Sequence, residues 1–158
     1  MNRSTPIAIL LITVIIASVA WRYMHPPGIS EEGFSIILTK DGSKPLSDAD
    51  IQQYNATSHE LTLTDECADR MKTMREPLTG NFVIIVDGEE DLRGVFVPPV
   101  VSRSYPSTEA VILYPSVDSD YRIMKIQMGY PWDQPTEVDP RRNSKMIQHF
   151  DKTGRLTR

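Results

Sequence analysis

The longest uninterrupted apolar run of the chain lies near its amino terminus. Residues Ile7 to Ala20 carry no charged side chain, and Arg3 precedes them. An uncharged core of about 14 residues is typical of the apolar region of a signal peptide. The small residues Ser18 and Ala20 also have the spacing that cleavage after Ala20 requires. The first interpretation is therefore a signal segment that is removed.

The same segment also suits an uncleaved membrane anchor. Extended to residues 6–24, it spans about 18 residues, because Trp21 and Tyr23 favour the membrane interface and Arg22 can extend its charge out of the bilayer. Under either interpretation, the positive charge of Arg3 favours a cytoplasmic amino terminus. The sequence therefore predicts that the rest of the chain lies outside the cytoplasm.

Beyond the leader, residues 1–25, short apolar runs alternate with turn residues. His25-Pro26-Pro27-Gly28 cannot continue a helix, so residues 26–33 are expected to form a linker. Short apolar or alternating runs predict six strands, which are Phe34–Thr39, His59–Thr64, Phe82–Val86, Leu92–Val97, Glu109–Tyr114 and Tyr121–Met128. Caps and apolar spacing predict three helical segments, which are Ser47–Tyr54, a helix capped by Thr64 with Cys67, Ala68, Met71 and Met74 on its apolar face, and a last helix that starts at Pro140, carries Met146, Ile147 and Phe150, and ends at Gly154.

This order of elements predicts an α+β domain over residues 34–158, with a mostly antiparallel sheet and two to three helices. Phe82–Val86 is the most apolar run after the leader. Such a run is typical of a central strand that is covered on both faces. Ile84 and Ile85 are therefore both expected to be buried.

Two further expectations concern the ends of the strands. Asp87-Gly88 is a turn signal, and the next apolar run starts at Leu92, so a hairpin with a loop of about five residues is expected. Because Phe82–Val86 is too apolar to lie outside, the exposed edge of the sheet is expected at Phe34–Thr39 or at Tyr121–Met128.

Charge and cysteine content narrow the classes of partner. The first 21 residues hold one of the 17 basic residues and none of the 21 acidic ones, so the remainder carries a net charge of −5. No basic stripe is present, which argues against nucleic acid and against docking on anionic lipid. The single cysteine, Cys67, excludes an intrachain disulfide, and its place on an apolar helix face predicts a buried side chain.

No constellation of catalytic residues stands out. The three histidines, His25, His59 and His149, fall in the linker, at a strand start and in the last helix, and no two of them have metal-ligand spacing. The chain contains no nucleophile elbow, no glycine-rich phosphate loop and no zinc-protease motif. The sequence therefore assigns no catalytic, cofactor-binding or metal-binding residue, and it predicts a protein that is not an enzyme.

Four short motifs have a structural interpretation beside a functional one. Asp118 and Asp120 either contact a cation or form a solvated turn, and the turn is expected. Glu89-Glu90-Asp91 is expected to form an acidic hairpin tip that keeps the turn in water. Asn55-Ala56-Thr57 matches the acceptor pattern for N-glycosylation. Gly129-Tyr130-Pro131-Trp132 either docks a ligand or packs on the core as a structural loop, and the loop is expected.

Ordered pieces in the middle of the chain carry a family resemblance; they are LSDADI at 46–51, HELTLTDECADRM at 59–71, GNFVIIVDGE at 80–89 and GVFVPP at 94–99. Over about 60 residues, from Leu38 to about Val101, their order and spacing resemble the periplasmic head subdomain of the first large loop of SecD, a protein-translocase accessory protein. The resemblance implies the head fold and a role in holding extended polypeptide. Cys67 stands where the family has a helix glycine, and the segment after Arg103 does not follow the family. SecD carries many membrane helices and this sequence offers one candidate, so the resemblance implies no proton-driven motor.

These observations favour a membrane-tethered, extracytoplasmic binding module. The expected partners are the membrane, through residues 6–24, and a protein or peptide that pairs with a sheet edge or a hairpin. Cleavage after Ala20 would instead release a secreted or periplasmic protein. Two alternatives remain open: a structural envelope component that acts through its anchor, and an enzyme with an unrecognised site.

Overall fold

The computed structural model describes residues 32–98, 102–116, 119–135 and 137–158. The predicted leader, the cleavage site after Ala20, the linker as far as residue 31 and the turn residue Asp118 lie outside these ranges. Within them, no helix is both long and apolar enough to cross a membrane. The described part is α+β with a mostly antiparallel sheet and two α-helices, which confirms the predicted fold class.

The elements follow one another along the chain with short connections. Nine strands are present in the described residues: β1 Phe34–Leu38, β2 Leu46–Ser47, β3 Ile51–Asn55, β4 Glu60–Leu63, β5 Gly80–Val86, β6 Glu89–Val97, β7 Tyr105–Leu113, β8 Ile123–Tyr130 and β9 Leu156–Thr157. The helical elements are a 3₁₀ turn at Asp48–Asp50, α1 Asp65–Thr73, a second 3₁₀ turn at Pro140–Asn143, and α2 Lys145–Lys152.

One sheet contains all nine strands in the order β2-β1-β5-β6-β7-β8-β4-β3-β9. The pairs β6 with β7 and β3 with β9 are parallel, and the other pairs are antiparallel. β2 lies at one end of this order and β3 near the other, yet the 3₁₀ turn at Asp48–Asp50 alone separates them along the chain. The sheet must therefore curl until its two ends meet beside this turn.

The inner face of the curled sheet holds the main hydrophobic core. Alternation along β4 and β8 points Leu61, Leu63, Met124, Ile126 and Met128 inward, and all five are buried, as predicted. Helix α1 adds Cys67, Ala68 and Met71, and its cap is the predicted one, because the Thr64 hydroxyl accepts the Cys67 N–H at 3.3 Å. Met74 was expected on the same apolar face, but α1 ends at Thr73 and Met74 is partly exposed.

Helix α2 packs where the two ends of the sheet meet. The ring of Phe150 lies 5.4 Å from that of Phe34 on β1 and 5.6 Å from that of Tyr54 on β3. Met146 and Phe150 are fully buried and Ile147 is partly buried, so the predicted apolar face is confirmed. The helix does not start at Pro140 as expected, because Pro140–Asn143 forms the separate 3₁₀ turn and α2 starts at Lys145.

The predicted helical segment at Ser47–Tyr54 is wrong beyond its first turn. The 3₁₀ turn ends at Asp50, whose carboxylate accepts the Ser47 N–H at 2.8 Å, and strand β3 follows directly. A register shift between Ile51 and Gln53 breaks the alternation of β3, so that Ile51 and Tyr54 both point into the core. This bulge gives a strand the three-residue apolar spacing that is typical of a helix.

The predicted five-residue hairpin loop is also wrong. Val86 pairs with Glu89, which leaves a two-residue turn at Asp87-Gly88. Both turn residues have positive φ, +50° for Asp87 and +79° for Gly88, as in the tight turns that match the twist of hairpin strands. The acidic residues Glu89-Glu90-Asp91 therefore belong to β6 rather than to a hairpin tip.

The central strand is fully covered on one face only. Phe82, Ile84 and Val86 point into the core and are buried, whereas Val83 and Ile85 on the other face are half-buried. The expectation for Ile84 is confirmed and that for Ile85 is wrong. A strand can therefore carry apolar residues on both faces although only one face is fully buried. In this sheet the outer face is only partly covered.

The predicted edges of the sheet are wrong as well. Strand β1 lies between β2 and β5, and β8 lies between β7 and β4. The ends of the sheet are β2 and β9, which have two residues each. Such short strands carry no periodic signal, so the sequence offered no means of placing them outside the longer ones.

The two faces of β5 allow a direct test of the fold. Ile84→Asp places a charge in the core, and we expect it to lower the free energy of unfolding by several kcal/mol. Ile85→Asp adds the same charge to the half-covered face, so we expect a clearly smaller loss. Urea unfolding of both variants in residues 28–158 measures the difference. Equal losses would contradict the one-sided burial of β5.

Candidate functional site

The histidines occupy separate polar clusters. His59 lies beside Tyr54 and Asp139, His149 lies beside Asp48 and Asp87, and His25 is outside the described residues. In the ranges that the structure describes, no three His, Cys, Asp or Glu side chains converge in a way that could hold a metal ion. The clusters instead link elements that are distant in sequence.

The cluster around Asp48 joins the two ends of the sheet. Its Oδ1 accepts the Phe34 N–H of β1 at 3.2 Å and lies 2.6 Å from His149 Nε2 of α2. Arg155, just before β9, donates through Nη2 to both carboxylate oxygens, at 2.8 and 2.7 Å. Burial works to raise the pKa of Asp48, but the hydrogen bonds from His149, Arg155 and Phe34 outweigh it and lower that pKa. Asp48 is therefore a charged structural link.

A second cluster is built around a buried arginine. Arg141 donates through Nε and Nη2 to the two oxygens of Asp139, at 2.9 and 2.8 Å. Its Nη1 donates to the Ile126 carbonyl at 2.8 Å and to both oxygens of Asp133 at 3.1 Å. Burial opposes the charge of both Asp139 and Asp133, yet the hydrogen bonds and charge of Arg141 help to keep the pKa of each carboxyl below its usual value. The buried guanidinium is thus paired on both sides.

His59 belongs to the same cluster. It has a left-handed backbone, with φ +58°, at the end of the turn between β3 and β4. Its Nδ1 lies 2.9 Å from the Tyr54 hydroxyl, and its Nε2 lies 3.8 Å from Asp139 Oδ2. Burial, and next the charge of Arg141, lower the pKa of His59 despite the nearby carboxylates.

Cys67 is a core residue, as predicted. Its side chain is buried, and Arg70 Nη2 lies 3.3 Å from its Sγ. Burial, together with the neighbouring charge of Asp50, raises the pKa of the Cys67 thiol to about 11, although Arg70 acts in the opposite direction. A thiol in this state is a poor nucleophile at neutral pH.

A groove with a mostly apolar lining lies on the outer surface, at the ends of β7 and β8. We call it the β7–β8 groove. It has a volume of about 330 Å³, and its lining residues are Leu113, Tyr114, Pro115, Ser116, Ser119, Ile123, Lys125 and Tyr130. Most of these side chains are apolar or aromatic. This volume falls at the small end of ligand sites, so the groove fits one or two side chains rather than a cofactor.

The wall formed by Tyr130 depends on a glycine. Inward residues alternate along β8 as far as Met128, so regular alternation would turn Tyr130 inward as well. Gly129 has φ +81°, and a Cβ at this position would lie 3.2 Å from the backbone of Ser107. Tyr130 instead packs on the outer face, against the small cluster of Val95, Val97 and Val111.

Two exposed hydrophobic side chains lie in the groove or close to it along the chain. Ile123, which lines it, is 39% exposed, and Trp132, two residues after Tyr130, is 71% exposed. Two residues span at most about 7 Å, so Trp132 starts close to the groove wall. The expectation that Gly129-Tyr130-Pro131-Trp132 packs on the core is therefore wrong for Trp132. Tryptophan and tyrosine are enriched at protein interfaces.

Two polar pairs involve residues that line the groove. Ser116 Oγ lies 2.6 Å from Ser119 Oγ, and Lys125 Nζ lies 3.4 Å from Asp133 Oδ2. Lys125 is the one charged residue among the described residues that line the groove. The groove therefore offers apolar surface with a small, internally balanced polar rim.

No family model, no curated protein and no solved structure matches this chain.

The titration of His59 predicts how stability depends on pH. Since its pKa is lowered on folding, the folded chain binds fewer protons there than the unfolded chain, whose His has a pKa of 6.5. This contribution to stability is present above pH 6.5 and is lost as the pH falls through the lowered folded-state pKa. The lowered carboxyl pKa values add a separate loss below about pH 4.

His59→Asn isolates the histidine, because asparagine tolerates a left-handed backbone and does not titrate. We expect urea unfolding of the parent to show decreasing stability from pH 6.5 downward. The variant should keep only the loss at the lower pH, where carboxylates are protonated. The same slope in both proteins above about pH 4.5 would contradict the assignment to His59.

Proposed function

We propose that this protein is a membrane-tethered, extracytoplasmic binding module whose β7–β8 groove holds an extended polypeptide segment of a partner. The tether is the apolar segment 6–24, and the protein acts by binding rather than by catalysis. The observation that carries the proposal is the groove itself, an apolar surface that includes the exposed Ile123, with the exposed Trp132 two residues along the chain from Tyr130.

The chemistry of the groove favours an apolar side chain of a polypeptide as its occupant. Its one charged lining residue, Lys125, is paired with Asp133, so among the described residues no unpaired charge of the lining awaits an ionic ligand. Leu113, Ile123 and Tyr130 are at least partly exposed and offer apolar surface that can hold aliphatic and aromatic side chains.

Main-chain pairing with a sheet edge is less well supported than the groove. The end strands β2 and β9 have two residues each, which is too short to hold a chain by a ladder of hydrogen bonds. Both strands that the sequence favoured as edges, Phe34–Thr39 and Tyr121–Met128, lie inside the sheet. We infer that a bound segment gains its affinity mainly from side-chain contacts.

The size of the groove sets the expected affinity. Burial of about 100 Å² of apolar surface contributes about 2.5 kcal/mol. Several such contacts are needed to offset the ordering of an unfolded chain, so a dissociation constant of tens to hundreds of micromolar is expected. Weak, reversible binding suits a protein that holds many chains in turn.

The resemblance of residues 38–101 to the SecD head also favours polypeptide as the ligand. That subdomain faces the same extracytoplasmic compartment that the leader predicts for this chain. The groove is formed by residues after position 112, beyond the stretch of resemblance, so the two arguments are independent. The proposed function requires no motor, since holding a chain needs only a surface and a tether.

Binding is tested with an unfolded protein, reduced and alkylated at its cysteines, as the polypeptide probe. Ile123→Ser removes apolar surface from the groove, and we expect it to weaken binding about five-fold or more. The control is Ile37→Ser, a half-buried outer-face residue on β1, three strands away from β7. Isothermal titration of residues 28–158 measures both affinities.

The control variant should bind as the parent does. No heat from the parent at hundreds of micromolar probe would overturn the polypeptide-holding proposal. If deletion of residues 1–25 then abolished capture of envelope proteins from the native membrane, a structural role through the anchor would replace it.

The proposed topology makes a separate prediction. Protease added to intact spheroplasts should digest residues 32–158, because the proposal places them outside the cytoplasmic membrane. A cytoplasmic protein in the same sample is the control and should survive. Protection of the domain would contradict the topology, and the mass of the mature chain separates an anchor from a signal that is cleaved after Ala20.

A further inference from the structure

Where strand β4 ends, side chains form hydrogen bonds with the backbone of β8 along the edge that β4 leaves. Strand β4 pairs with β8 only as far as Glu60 opposite Lys125, and the His59 carbonyl accepts the next N–H, that of Ile126, at 2.9 Å. The rest of this edge of β8 has no strand beside it in the described part of the chain. Its backbone groups need other partners, because buried N–H and C=O groups are rarely left unpaired.

Arg141 and Asp133 supply those partners. Arg141 Nη1 donates to the Ile126 carbonyl at 2.8 Å, and the Met128 N–H donates to Asp133 Oδ1, also at 2.8 Å. The chain itself returns at Gln134, whose N–H donates to the Met128 carbonyl at 2.9 Å. The loop that carries Trp132 is thus fastened along the edge of β8 in place of a strand.

The same contacts form a continuous path from the core to the groove. The side chain of Arg141 is 2% exposed, that of Asp133 is 22% exposed and that of Lys125 is 43% exposed. Asp133 stands in the middle, since it accepts from Arg141, pairs with Lys125 on the groove wall and directly follows Trp132 in the chain. A shift of Asp133 would therefore move the loop and the polar rim together.

We propose that Arg141 is a positioning residue for the β7–β8 groove, an inference that rests on the proposed function. From the core it fixes Asp133, and Asp133 fixes both Lys125 and the loop that presents Trp132. The shape of the groove is then set by a buried guanidinium that touches no ligand.

The planar fork of arginine is what allows this arrangement. One edge of the guanidinium donates through Nε and Nη2 to Asp139. Nη1 can then donate to both the Ile126 carbonyl and Asp133. A lysine has one ammonium group and could not hold all three partners in fixed directions. Asp139 also neutralises the buried charge of Arg141. The contact of Arg141 with Asp133 can therefore hold the loop that carries Trp132.

Substitution of Arg141 itself would remove the bidentate charged partner of the buried Asp139 and could unfold the protein. Asp133→Asn is the sharper variant. An asparagine oxygen can still accept the Met128 N–H, but the negative charge that attracts Arg141 and Lys125 is lost. Lys125→Met is the comparison, because it removes only the pair on the groove wall and leaves the contact between Arg141 and Asp133 intact. Asp41→Asn, in an exposed turn where Asp41 accepts the Ser43 N–H at 2.9 Å, is the control for the chemical change.

The experiment uses the full chain in lipid nanodiscs with Trp21→Phe, so that Trp132 is the one remaining tryptophan. The fluorescence anisotropy of Trp132 without ligand reports how rigidly the loop is held, and titration with the unfolded polypeptide probe reports binding. For Asp133→Asn we expect lower anisotropy, a roughly five-fold loss of affinity and cooperative unfolding. Lys125→Met and Asp41→Asn should keep the anisotropy of the parent.

Parental anisotropy in Asp133→Asn would overturn the inference, whatever happens to binding. Loss of the fold in this variant would also overturn it, because Arg141 and Asp133 would then support the core rather than the loop. Lower anisotropy with unchanged affinity would show that the loop position does not matter to the groove, and would overturn the positioning role. Failure of the parent to bind would instead overturn the proposed function, while the anisotropy alone would still decide whether Arg141 and Asp133 hold the loop.

Discussion

The contact on which the fold depends is the one between the Asp48 carboxylate and its three partners. Phe34 at the start of β1 and His149 on α2 both contact its Oδ1, and Arg155 before β9 donates to both oxygens. These partners come from both ends of the sheet and from the helix between them. A single carboxylate, kept charged by its hydrogen bonds, therefore holds the curled sheet closed at the point where no strand pairs across.

Closure at Asp48 determines which surfaces are left for binding. Once the two ends of the sheet meet, the inner face becomes the core, and Phe150 can pack against β1 and β3 at the same time. The strand order ends in two strands of two residues each, and side chains and a loop cover the part of the β8 edge that β4 leaves unpaired. Surface for a partner then remains on the outer face, which is why the β7–β8 groove and the exposed Trp132 beside it support the proposed function better than an edge does.

The two polar clusters have different roles, one in the fold and one in the proposed site. The Asp48 cluster closes the sheet, whereas the Arg141 cluster replaces a strand along β8 and leads outward to Lys125 on the groove wall. Both bury charges, which is costly unless every charge is paired. The guanidinium of Arg141 meets this condition with two carboxylates and a carbonyl. A buried charge can therefore position the residues of a surface site.

The sequence by itself determined the elements with a clear period or cap: strand β4 with its alternating leucines, helix α1 with its Thr64 cap, and the apolar face of α2. Residue spacing and capping determine these elements, and both can be read from neighbouring residues in the chain. It failed at Ile51–Tyr54, where a bulge gave a strand the spacing of a helix, and at the edges, because strand order depends on which segments meet after closure. The groove, too, was decided only by tertiary structure. Its walls come from β7, β8 and the loop between them, and Trp132 is exposed because Asp133 and Gln134 bind the edge of β8, a contact that no sequence period records.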